Sequence, residues 1–134
     1  MYYAARLMRA WMVALIAFAA GCAPAIGDPC TTSVNCSITG DRVCDAAQPG
    51  GACTVFGCEV GTCPAEATCV RWRPMESRLE FTACMRRCES DAGCRVDEGY
   101  ACLAPADITD GAGAVLAELI DEDAERFCVA TEPE

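Results

Sequence analysis

The chain has 134 residues, which is enough for one domain or a few very small ones. It contains 13 Cys and carries a net charge of −10. It has no His and no Lys, and their absence excludes nucleophile–His pairs, Cys₂His₂ zinc sites and lysine Schiff bases. From Cys22 onward only 19 of 113 residues are Leu, Ile, Val or Phe, so covalent cross-links are expected to support the core.

Residues 1–21 predict a lipoprotein signal peptide. Two Arg without an acid precede an apolar run over 11–20, which is too short to span a bilayer. The run ends in Ala19-Ala-Gly-Cys22, which resembles the bacterial lipobox, although Ala19 occupies the position where Leu is usual. We expect cleavage before Cys22 and lipid attachment to it. Ordinary cleavage after Ala25, with loss of Cys22, is the alternative.

The number of cysteines supports lipid attachment independently. Without Cys22 twelve cysteines remain, an even number, as complete pairing requires. Residues 22–29 then form a Pro- and Gly-containing tether that spans no more than roughly 25 Å. The residue after Cys22 is Ala23 rather than Asp, and in this the chain resembles lipoproteins that are sorted to the outer membrane. The expected location is therefore the cell envelope, anchored to the outer membrane and facing the periplasm or the surface.

The remaining cysteines predict a small disulfide-rich domain over 30–134, built from short β-hairpins and loops. Two stretches repeat the spacing Cys-x₅-Cys-x₇-Cys, and a contracted copy lies between them. The spacing divides the domain into units over 30–53, 53–69 and 84–128, and it leaves the connectivity open. The predicted disulfide cysteines are Cys30, Cys36, Cys44, Cys53, Cys58, Cys63, Cys69, Cys84, Cys88, Cys94, Cys102 and Cys128.

A thiolate metal site is the competing interpretation of so many cysteines. Structural zinc sites usually contain Cys-x₂-Cys, and the tightest pair here is Cys84-x₃-Cys88. The missing Cys-x₂-Cys also disfavours a thioredoxin-type centre. We therefore expect disulfides, with no metal and no cofactor.

Alternation over 68–73 and 79–85 predicts a hairpin closed over 74–78. Trp72 and Phe81 are then expected to be core or cross-strand residues.

The segment 114–120 is ambiguous. Its apolar residues fit one face of a short helix near 112–124. They also fit a strand that turns and returns through 126–130 as a hairpin. We favour the hairpin slightly, because Cys128 must bring the return segment back to the cross-linked body.

The chain from Cys22 has eight Arg and twenty acids, a net charge of −12, which disfavours nucleic-acid binding. Residues 71–95 are net +2 and residues 105–134 are net −8. These two segments could contact each other, the Arg-rich one could meet an acidic partner, or both could be solvated surface.

Little in the chain predicts catalysis. Asp121, Asp123 and Glu125 alternate as calcium ligands do, but Arg126 stands where a calcium loop needs Gly, so surface acids are the better interpretation. The serines lack a His or Lys base, and a small cross-linked module offers little room for a cleft with paired carboxylates. We expect no enzymatic activity.

The segment 84–102, downstream of a lipobox, resembles uncharacterised cysteine-rich lipoproteins of myxobacterial-type bacteria. Those proteins repeat Cys-x₃-Cys-x₅-Cys modules with an acidic loop and a Gly-Tyr pair, here Gly99-Tyr100. The resemblance extends over most of 30–128 and departs at Gly93, where an acid is common. It implies a location, a scaffold and lipid attachment at Cys22, and no established activity.

The leading hypothesis is an envelope lipoprotein whose loops bind another protein or a polysaccharide. The alternative is a small protease inhibitor that presents an exposed loop such as Arg73–Arg78, since disulfide-braced loops are preorganised. A purely structural envelope component is the third class.

Overall fold

The computed structural model describes residues 23–73 and 79–131. Its strands are short, as expected for a chain with few aliphatic residues, and four single turns of 3₁₀ helix connect parts of them. The strands are β1 (Val43–Asp45), β2 (Ala52–Thr54), β3 (Ala67–Trp72), β4 (Phe81–Arg86), β5 (Tyr100–Leu103), β6 (Ala117–Leu119) and β7 (Phe127–Ala130). The 3₁₀ turns are Ser33–Asn35, Asp91–Gly93, Val96–Glu98 and Pro105–Asp107.

Three of the four antiparallel pairs among the described strands share one design. β1 pairs with β2, β3 with β4, and β5 with β7. In each pair two cysteines lie directly opposite each other across the strands, where side chains are close neighbours. These facing pairs are Cys44 and Cys53, Cys69 and Cys84, and Cys102 and Cys128.

Six disulfides connect these pairs to the segments before them by one rule. In each group of four cysteines the first bonds the third and the second bonds the fourth, so the two facing cysteines never bond each other. The bonds are Cys30–Cys44, Cys36–Cys53, Cys58–Cys69, Cys63–Cys84, Cys88–Cys102 and Cys94–Cys128. We call the groups the first unit (30–53), the second unit (58–84) and the third unit (88–128).

The bonds assign Cys53 to the first unit and Cys84 to the second, whereas the spacing shared Cys53 between two units and placed Cys84 at the start of the third. The physical reason is that the fourth cysteine lies on the returning strand of each pair. The connection to that strand varies in length, because Cys53 follows the third cysteine after 9 residues, Cys84 after 15 and Cys128 after 26. A regular gap therefore marks only the first three cysteines of a unit.

The small disulfide-rich fold class and the first predicted hairpin are confirmed. β3 and β4 pair as an antiparallel hairpin, and Trp72 lies opposite Phe81 as a cross-strand pair. The connecting residues 74–78 lie outside the described part of the chain. Among the described residues no helix is both long and apolar enough to cross a membrane.

The helix considered near 112–124 is wrong, and so is the favoured hairpin between 114–120 and 126–130. Both segments contain strands, but β6 adds to β3 and β7 pairs with β5. Two contacts explain the divergence. Leu119 lies opposite Val70, which is fully buried in the second unit, whereas the Cys94–Cys128 bond holds β7 in the third unit.

The core consists of three small clusters, two of which contain disulfide-bonded cysteines. Ile26, in the middle of the predicted tether, is 1% exposed and packs with cysteines of the second unit. Val70 and Phe127 are fully buried in a second cluster, where the ring of Trp72 meets Phe127 edge-on at 5.9 Å. The units therefore share buried surface, and the tether belongs to the folded domain from Ile26 onward.

Candidate functional site

An apolar groove of about 430 Å³ lies where the three units meet. This volume is within the range of ligand sites, roughly 300–1,000 Å³. The fourth cysteines of the units, Cys53, Cys84 and Cys128, all contribute to its lining. The disulfide framework therefore builds the groove, because each unit supplies one side of it from a cross-linked strand.

The walls of the groove carry its large apolar side chains. Phe56 and Phe81 meet edge-on at 6.2 Å and are 50% and 42% exposed, which is unusual for aromatic rings in a small domain. Trp72, Met85 and Val129 line it as well and are half-buried. These side chains give the groove its apolar walls.

The polar side chains of the lining make hydrogen bonds within the chain, and among their buried atoms Nε of Arg95 alone has no partner. Gln48 donates to Asp45 over 3.3 Å, and the Thr54 hydroxyl donates to the carbonyl of Cys84 over 2.9 Å. Arg86 donates to Asp28 over 3.2 Å. The groove thus presents mainly hydrocarbon and sulfur to a ligand.

Arg95 and Tyr100 lie at one end of the groove and fasten the third unit to the first. The Arg95 guanidinium lies 4.5 Å from the centre of the Tyr100 ring and donates to Glu98 over 3.1 Å and to the carbonyl of Gly51 over 2.6 Å. The Tyr100 hydroxyl donates to the carbonyl of Pro49 over 2.8 Å, and burial raises the pKa of Tyr100. This end is therefore a rigid junction between units.

The Arg-rich segment 71–95 contacts the acidic end of the chain. Glu118 accepts from Arg71 over 3.0 Å and from Arg73 over 2.9 Å, and Arg87 pairs with Asp123 over 2.7 Å. These pairs are partly or well exposed, so each contributes little to stability. They do orient the guanidinium groups toward acids of the same chain.

The inhibitor hypothesis rests on a loop that is mostly outside the described residues. Arg73 belongs to the described part, and its side chain pairs with Glu80 over 2.9 Å as well as with Glu118. The use of Arg73–Arg78 as a bait loop stays a prediction.

Asp121, the first residue of the calcium-like pattern, has a structural role. It is 6% exposed, and its carboxylate accepts the backbone N–H groups of Gly61 over 2.8 Å and Cys69 over 2.7 Å, and the Thr68 hydroxyl over 3.4 Å. Burial raises the pKa of Asp121, but these hydrogen bonds outweigh it and hold the pKa below its ordinary value. Asp123, two residues on, pairs with Arg87 instead of facing the same site.

The sulfur atoms of the first three cysteines in each unit lie within 4.8 Å of one another. Such clusters look like metal sites, but metals bind thiolates and these sulfurs are bonded in pairs. The clusters are therefore two adjacent disulfides in each unit. Their members are Cys30, Cys36 and Cys44, then Cys58, Cys63 and Cys69, then Cys88, Cys94 and Cys102.

Cys22, the predicted lipidation site, lies outside the described residues, so lipid attachment stays a prediction. The sequence did not reveal the groove, because its lining comes from three units far apart in the chain. Only the alternation around Trp72 and Phe81 pointed toward it, and it indicated a cross-strand pair.

Comparison with protein-family models, with curated proteins and with solved structures found no match for this chain. The resemblance to cysteine-rich lipoproteins therefore stays a prediction as well.

Proposed function

We propose that this chain is a membrane-anchored lipoprotein of the cell envelope, whose disulfide-stapled domain binds an apolar ligand in the groove between its units. The main support for the proposal is the groove itself, which has a volume of about 430 Å³ and a mainly apolar lining. Six disulfides hold the strands that form it. A cross-linked lining is preorganised, so little conformational entropy is lost when a ligand binds.

The compartment follows from the same bonds. Disulfides form and persist in oxidising, extracytoplasmic environments, and six of them in a chain of this size are typical of exported domains. Anchoring to the outer membrane is the finer proposal. It is supported by the lipobox-like residues before Cys22 and by the even number of cysteines after it.

Membrane fractionation tests the anchor. The unsubstituted chain is expected in the membrane fraction, and the Cys22→Ser variant is expected to lose that association. Ala23→Ser, which changes the neighbouring residue and keeps the thiol, serves as the matched control and should stay with the membrane. An unchanged distribution of the Cys22→Ser variant would contradict the lipoprotein proposal.

A fluorescent dye that brightens on apolar surfaces tests the groove. Dye emission should rise when the Cys22→Ser chain is added to the dye. It should be lower when that chain also carries Phe81→Ala, which removes one wall of the groove. Ile38→Ala is the control, because Ile38 is 90% exposed and does not line the groove. Equal dye emission from both variants would show that the dye, and by extension an apolar ligand, binds elsewhere.

A further inference from the structure

We propose that the groove accommodates an acyl chain carried by Cys22 of the same molecule. This inference rests on the proposed function, because it requires a lipid at Cys22. The acyl chain would be the ligand of the groove, and the groove would cover it from water whenever the anchor is outside the bilayer.

The first argument is chemical. The carboxylate, amide, hydroxyl and guanidinium groups of the lining make hydrogen bonds within the chain, and among their buried atoms only Nε of Arg95 has no partner; the groups belong to Asp45, Gln48, Thr54, Arg86, Arg95 and Tyr100. A peptide or a sugar would bring polar groups that lose water and find few free partners, which is unfavourable. A hydrocarbon chain loses no hydrogen bonds, so the lining selects for it.

The second argument concerns backbone pairing. A peptide could still bind by adding a strand to an exposed sheet edge. The edge of β4 beside the groove is already occupied, because Cys84 donates its N–H to the carbonyl of Val55 over 3.0 Å and Gly57 donates to Thr82 over 2.9 Å. At the β4 edge the groove therefore offers side-chain surface in place of main-chain partners.

The third argument is the position of the anchor. Ile26 and Gly27 line the groove, and Gly27 is fixed there by its N–H bond to the carbonyl of Cys53 over 2.8 Å. Cys22 precedes Ile26 by four residues, which span at most about 14 Å. A chain attached to Cys22 thus starts within a short tether of the lining, at a high effective concentration.

The chain supplies its own reporter for a test. It has two Trp, and Trp72 lines the groove, so Trp11→Phe makes Trp72 the single source of tryptophan emission. Twelve of the 13 cysteines form disulfides, which leaves Cys22 for selective alkylation. The full chain is prepared oxidised and without cellular lipid. Its Cys22 is then alkylated with a brominated hexadecyl reagent, with the same reagent lacking bromine, or with a methyl reagent.

The brominated chain is expected to quench most of the Trp72 emission, since bromine quenches tryptophan only on close approach. The chain without bromine should shift the emission to shorter wavelength, and the methyl cap should do neither. Ala130→Phe, which narrows the groove, should restore the emission. Ala65→Phe adds the same ring at an exposed position that does not line the groove, and it should leave the quenching intact.

Three results would overturn the inference. The first is an emission that is equal with all three reagents. The second is quenching by brominated palmitate added free to the methyl-capped chain without quenching by the tethered chain, which would assign the groove to a lipid from outside. The third is quenching that persists in a folded Ala130→Phe variant. All are independent of membrane fractionation, which tests cellular lipid attachment separately.

Discussion

Asp121→Asn is expected to destabilise the domain at neutral pH. The carboxylate of Asp121, just after β6, connects that segment to the loop at Gly61 and to β3 at Cys69. It accepts N–H groups from Gly61 over 2.8 Å and from Cys69 over 2.7 Å, one on each oxygen. Asn keeps the shape but has a single acceptor oxygen, so one of the two N–H groups would face an amide N–H₂. One donor, either the partly buried N–H of Gly61 or the buried N–H of Cys69, is then left without an acceptor.

The magnitude follows from these contacts. Hydrogen bonds to charged groups contribute about 1.5–3 kcal/mol each, and an unsatisfied buried donor costs about 1–3 kcal/mol. Since one of the two bonds is retained, we expect the free energy of unfolding to fall by roughly 2–3 kcal/mol. Glu122→Gln is the matched control, because Glu122 is the exposed neighbour and loses the same charge.

The effect should depend on pH in a defined direction. The pKa of Asp121 is lower in the folded than in the unfolded chain, so its stabilisation is complete above the unfolded value, about 3.9. The stabilisation is lost as the pH falls through the folded pKa, where the carboxyl group becomes protonated and resembles the amide. Denaturant unfolding at pH 7 and near pH 2, followed by circular dichroism, measures the difference between the two chains.

The difference should be large at pH 7 and should shrink toward pH 2, whereas Glu122→Gln should match the unsubstituted chain at both. A variant Asp121→Asn that is as stable as the unsubstituted chain at pH 7 would refute the role given to this carboxylate. If the two chains differed equally in free energy of unfolding at both pH values, the negative charge of Asp121 would not be the source of the stabilisation.

Two further perturbations test the framework. Gly51→Ala should destabilise by more than about 4 kcal/mol or prevent folding, since its Cβ would lie 1.9 Å from the Cys30 carbonyl oxygen. Gly57 has a similar positive φ but open space around it, so Gly57→Ala should cost only about 1–2 kcal/mol. Thermal unfolding compares the two variants, and equal effects would contradict the steric explanation. Replacing both cysteines of the Cys94–Cys128 bond, which are 34 residues apart, should cost about 4 kcal/mol in denaturant unfolding. The shortest bond, over 11 residues, should cost about 3 kcal/mol, and the reverse order would contradict a loop-entropy origin.

The sequence predicted what depends on local pattern. Parity and spacing indicated twelve paired cysteines, and the alternation around Trp72 and Phe81 predicted the β3–β4 pair. The disulfide partner of each cysteine could not be predicted, because the fourth cysteine of a unit follows a connection of variable length. No periodicity encodes that length.

The segment 112–124 shows why the remaining fold could not be predicted. Ala117–Leu119 has the composition of a short helix, but it forms a strand because β3 offers an unpaired edge, with Val70 buried opposite Leu119. That edge comes from residues almost fifty positions earlier. Tertiary pairing thus overrides local propensity. The groove is a property of the same kind, since it exists only where the three units meet.

Mass analysis of the chain isolated from its native membranes, without reduction, tests the central claim most directly. We predict a chain that begins at Cys22, carries acyl mass on that residue and has no thiol that can be alkylated. Digestion without reduction should then release linked peptides in which the first and third cysteines of each unit are joined, and the second and fourth. An unmodified or missing Cys22 would contradict the lipoprotein, and free thiols or bonds between units would contradict the framework.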